Sequence, residues 1–94
     1  MEIEFTSQVF KEGRLYVAHA PELDISSCGG TPETASRSLL TAVKLFLEEA
    51  EKMGSLDQIL REAGYIKLNQ KLQGPKMISL KRVSLPVLLE HAKT

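Results

Sequence analysis

The stretch YVAHAPELDISSCGGTPETA, residues 16–35, decides the fold. It sets His19, Glu22, Asp24, two serines, the sole cysteine and Gly29-Gly30 directly ahead of a helix start, so it reads either as an active site or as the grammar of a strand, a turn, a strand and a helix. Pro21 cannot donate to a central ladder, so a strand beginning near Leu15 ends at His19 or Ala20, and Ile25 to Cys28 forms a short return strand. Thr31 is a favourable N-cap, Pro32 suits a first helical position whose N–H is unpaired anyway, and Glu33 complements the positive end of the helix.

Downstream, Ala35, Leu39, Ala42, Val43, Phe46, Ala50 and Met53 recur at steps of three and four, which predicts a helix over 31–53 with one face on a sheet. Gly54 ends it, and Ser55 with Gln58 resembles a capping box opening a short helix to Ala63, closed by Gly64. Upstream, Glu2 to Phe10 alternates Ile3, Phe5, Ser7 and Val9 against polar neighbours and predicts a half-buried first strand, joined to the second by a turn at Lys11 to Arg14. Tyr65 to Lys76 is polar, with Asn69, Gly74 and Pro75, and reads as a connecting loop. Met77 to Val87 returns to strand character with a change of phase near Lys81 and Arg82. The expectation is one α+β domain over 1–94, ordered β-β-β-α-α-β: a meander over 2–28, helices over 31–63 and a fourth strand over 77–87. A single four-stranded antiparallel sheet would carry the long helix on one face.

Ninety-four residues build only a modest core, so self-association as a homodimer or higher oligomer is expected. No run is apolar enough to span a bilayer, the first residues lack a secretory pattern, and a lone cysteine forms no internal disulfide; the expected location is the cytoplasm. The net charge of zero divides unevenly. Residues 1–63 hold six Lys or Arg against eleven Asp or Glu, and residues 64–94 hold six against Glu90 alone.

The chemistry-bearing residues do not assemble into a site. Gly29-Gly30 lacks the Lys-Ser/Thr of a phosphate loop and the third glycine of a dinucleotide fingerprint. Cys28 near a helix N-terminus with His19 nine residues earlier is a conceivable nucleophile pair with no third member, and His19, Cys28 and His91 have no metal-ligand spacing. Glu48, Glu49 and Glu51 read as a solvated helix face. No enzyme activity, cofactor or metal is expected.

GRLYVAHAPELDISSCGGTPETASRSLLTAVKLFLEE, residues 13–49, resembles the HicB antitoxin family, through Tyr16-Val17-Ala18, Pro21-Glu22-Leu23, Gly30, Thr31, Glu33, Ala35 and the Leu-rich helix that follows. The resemblance implies a degenerate RNase H-like domain without that fold's metal-binding carboxylates. It also implies a partner, a small basic HicA-type RNA-cleaving toxin whose active face the protein covers. Tyr16, His19, Glu22 and Asp24, around the loop after the second strand, are the candidate partner-binding residues, with Glu22 and Asp24 offering an acidic surface in competition with RNA. The alternative is a stand-alone operator-binding regulator or an orphan interaction module. KRVSLPVLLEHAKT, residues 81–94, looks like a ribbon-helix-helix opening but is too short for two helices, so DNA binding by this chain alone is expected to be weak or absent.

Overall fold

In the computed structural model, which describes residues 1–90, the chain is α+β, with two helices and two small three-stranded sheets. The strands are β1 (Glu2–Ile3), β2 (Gln8–Glu12), β3 (Leu15–Ala20), β4 (Ile25–Gly29), β5 (Ile66–Leu68) and β6 (Lys71–Gln73); the helices are α1 (Pro32–Lys52) and α2 (Leu56–Glu62).

A three-stranded antiparallel meander and the long helix form, the meander over Gln8–Gly29 rather than 2–28. β2, β3 and β4 pair antiparallel in that order, with Val9 opposite Ala18 and Ala18 opposite Ser27. Because successive side chains alternate across a strand, Tyr16, Ala18 and Ala20 share one face of β3 and Leu15, Val17 and His19 the other. Ala18 and Ala20 are fully buried together with Ala35, Leu39 and Val43 of α1, with Phe5, Tyr16, Leu23, Ile25 and Leu47 packed around them. Small residues on β3 let the helix lie close to the sheet. At Gly29, where β4 leads into the helix, an added Cβ would stand 2.6 Å from the Ala35 backbone nitrogen.

Thr31 caps α1 through its Oγ1, which accepts from Thr34 N–H at 3.0 Å. Both helices end in a Schellman motif: Gly54 and Gly64 take positive φ, Ser55 N–H donates to Ala50 O, and Tyr65 N–H donates to Leu60 O. The capping box does not form. Ser55 Oγ donates to Ala50 O instead, and Gln58 bonds Glu62 one turn on within α2. Met53 belongs to the expected stripe by spacing but stands at the end of α1 beyond the sheet, 72% exposed.

Three expectations are corrected. The single four-stranded sheet is replaced by two sheets, because the first strand divides. Glu2–Ile3 runs parallel to β6 in the sheet β1-β6-β5, and the chain joins β3 only from Gln8. The expected loop at Tyr65 to Lys76 contains the hairpin β5-β6, turned at Asn69 with φ of 56°. The fourth strand over 77–87 is absent: residues 74–90 belong to no strand or helix, and everything from Pro75 to Glu90 is exposed.

Candidate functional site

Of the four sequence candidates, His19, Glu22 and Asp24 lie at or beside the β3–β4 turn, and Tyr16 lies at the other end of β3. Tyr16 lies on the helix side of β3, half-buried against the core, with Lys11 Nζ 5.9 Å from its ring centroid. His19 is three residues on and therefore on the opposite, open face. Its Nδ1 lies 2.7 Å from Ser26 Oγ, and its Nε2 lies 3.7 Å from Asp24 Oδ1. Asp24 adopts a left-handed φ of 54°, which its short polar side chain tolerates, and its carboxylate is 93% exposed.

Glu22 has a different role. Its carboxylate accepts from Thr6 N–H at 3.0 Å and from Thr6 Oγ1–H at 2.6 Å, tying the turn to the segment where the first strand divides. Partial burial pushes its pKa up, but the Thr6 hydrogen bonds outweigh that and hold it below the ordinary carboxylate value. Glu22 is thus a structural staple rather than a free acidic contact.

Tyr65, read as the first residue of a loop, is buried, and its hydroxyl donates to the Glu4 carbonyl at 2.7 Å. Burial first, and then the nearby Glu22 and Glu4 charges, raises its pKa to about 12. Beside this cluster Glu4, Phe5, Thr6, Glu22 and Gln73 line an open cavity of about 490 Å³. Its polar groups are largely committed to one another: Glu22 to Thr6, and Glu4 Oε1 to Gln73 Nε2 at 2.9 Å.

The surface with free chemistry is the open face of the β2-β3-β4 sheet. The register sets Phe10 beside Val17 and Val17 beside Cys28, with Glu12 and Leu15 paired at the hairpin end and Gln8, His19 and Ser26 in a row at the other. Phe10 and Leu15 are each about half exposed, and Cys28 is exposed. The face is an apolar centre with one carboxylate at each end, Glu12 and Asp24. Of its members only His19 and Asp24 were singled out in the sequence as partner contacts; the signal for the others was strand parity.

Ser26, His19 and Asp24 make a polar line with the residue types of a hydrolytic triad, but the His–Asp separation and the exposure of Asp24 leave the imidazole unanchored on that side. His19 meets Ser26 rather than engaging Cys28 through a hydrogen bond. No group of three His, Cys, Asp or Glu among the described residues could hold a metal ion, and His91 lies outside them. No helix among the described residues is long and apolar enough to cross a membrane. No protein-family model, curated protein or solved structure matches the chain.

Proposed function

We propose that this chain is a HicB-like antitoxin, a binding protein that neutralises a small basic HicA-type RNA-cleaving toxin by covering its active face. The observation that carries the reading is the open sheet face, with Phe10, Leu15 and Val17 exposed or half-exposed between Glu12 and Asp24. A ribonuclease holds phosphates with cationic side chains, so an inhibitor needs carboxylates to attract that face and apolar surface to exclude water from it. This face offers both on one rigid sheet. In this reading the meander and α1 are the remnant of an RNase H-like outline, supported by their β-β-β-α order.

Glu12 replaces Glu22 in the mechanism, because Glu22 is held by Thr6. The test is association with a HicA-type protein, sought first in the adjoining reading frames, followed at low and high salt for the wild type and for the E12K/D24K variant. Glu12 is exposed on the sheet and Asp24 in the turn, where lysine at a left-handed φ costs about 1 kcal/mol, so circular dichroism is recorded to confirm that the variant folds. Association of the variant should slow by about tenfold at low salt, and the difference should shrink at high salt. Equal rates at low salt would exclude these carboxylates. Binding of operator DNA with no effect on RNA cleavage would favour the regulator reading.

A further inference from the structure

The largest feature that the proposed function leaves unused is the segment after β6. Eight of the thirteen residues from Met77 to Leu89 are large and apolar, and all eight are at least half exposed; Ile78, Leu80, Val83, Leu85 and Leu88 are each at least 75% exposed. Segments that stay unfolded on their own are poor in such residues, so this composition calls for a covering surface. From Pro75 to Glu90 the chain makes no backbone–backbone hydrogen bond among the described residues.

The exposed area gives the size of what is missing. A compact chain of 10.4 kDa exposes about 5,400 Å². This chain exposes 7828 Å², an excess of about 2,400 Å² over that expectation. The Cα radius of gyration is 16.7 Å where a compact domain of this length has about 12 Å. A stable protein–protein interface covers about 800 Å² on each partner, and obligate dimers cover more. The excess is larger than the roughly 1,600 Å² of two such contributions, one as donor and one as acceptor of an exchanged arm.

The acceptor is also present. β2 is an edge strand of the meander, with β3 on one side and no strand on the other. Along that open side runs a groove of about 660 Å³, lined by Thr6, Gln8, Val9 and Phe10 and by the stem of the arm at Met77 and Leu80. Val9 and Phe10 are exposed there. Val83 to Leu89, fully extended, spans about 23 Å and covers the roughly 17 Å of β2. Val83, Leu85, Val87 and Leu89 share one parity, and Pro86 is tolerated in a strand that itself becomes the new edge. Charge agrees: residues 1–73 hold eight basic against eleven acidic side chains, and residues 74–94 hold four against one.

We infer that two copies of this chain form a closed dimer by exchanging arms, with Val83–Leu89 of each copy lying as an added strand on the β2 edge of the other. The exchange is reciprocal, so the assembly stops at two. It does not rest on the toxin-binding reading, although the two surfaces share Phe10.

The test is light scattering on the full chain across a wide concentration range, joined to amide hydrogen exchange. The expected mass is twice the 10.4 kDa of one chain, with slow exchange confined beyond the helices and the meander core to residues 8–12 and 83–89. The L85E/V87E variant should keep the helical circular dichroism of α1 and α2, which 83–89 does not touch in the single chain, and shift the monomer–dimer midpoint by about a hundredfold or more. A monomer at every concentration, an open-ended oligomer series, a dimer indifferent to L85E/V87E, or fast exchange at 83–89 in a wild-type dimer would each overturn the exchange. The exchange measurement needs no variant, so a variant that failed to fold would leave the inference fully exposed to refutation.

Discussion

Gly29 and Gly30 are adjacent and identical, yet replacement by alanine should separate them. At Gly29 the new Cβ would stand 2.6 Å from Ala35 N, 2.8 Å from Thr34 Cγ2 and 2.9 Å from Thr34 C. Two of these atoms are backbone in the first turn of α1, so no rotamer change relieves the contact, and the helix start must move away from β4. Such overpacking costs about 1–3 kcal/mol, and the backbone character of the obstacle puts Gly29→Ala at the upper end. At Gly30 an added Cβ meets nothing within 4 Å and φ is not positive. Gly30→Ala should therefore be neutral or stabilise by about 0.4–1 kcal/mol through the unfolded chain. The assay is equilibrium urea unfolding, comparing midpoints at constant slope. Equal destabilisation by the two substitutions, or a harmless Gly29→Ala, would refute the view that Gly29 is there to let β4 meet the helix.

The remaining predictions concern packing and ionisation. Leu39→Ala, at a fully buried position, should cost about 2–5 kcal/mol, whereas Leu40→Ala on the outer face should cost under about 0.5 kcal/mol by the same unfolding measurement. Phe46→Ala should cost less than Leu39→Ala, because Phe46 is only half-buried. Glu22 has a folded pKa below its ordinary 4.5, so its contribution is complete above that value and is lost as pH falls through the lowered folded pKa; Glu22→Gln should flatten that part of the acid-unfolding curve. Tyr65 binds its proton more tightly folded than unfolded, so its contribution is complete below pH 10 and declines as pH rises from about 10 towards about 12. Ultraviolet titration should show one tyrosine ionising late, and Tyr65→Phe should abolish that step.

What the sequence made legible was local. The helix start at Thr31-Pro32-Glu33, the apolar stripe and the glycine stops act within one or two turns, and α1 runs from Pro32 to Lys52 as that spacing requires. The division of the first strand was not legible, because it turns on partners far away: Thr6 meets Glu22, and Glu2 pairs with Lys71. The β5-β6 hairpin left one sign, Asn69 between two short runs that each hold a leucine, but polar residues masked it. Met77 to Val87 has strand composition without a strand, since nothing in the single chain pairs with it. At the candidate site, strand parity already separates Tyr16 from His19 and joins His19 to Val17 and Leu15. The capture of Glu22 by Thr6 and the burial of Tyr65 against Glu4 are long-range facts with no local signature.

The central claim is that the open face of the meander silences an RNA-cleaving partner. Its most direct test is cleavage of a defined RNA by a HicA-type protein, should an adjoining reading frame encode one, titrated with this chain and with the E12K/D24K variant. Cleavage should fall linearly with added wild-type chain and stop at a fixed stoichiometry, while the variant should require a clear excess at low salt. Undiminished cleavage in the presence of excess folded wild-type chain would contradict the account.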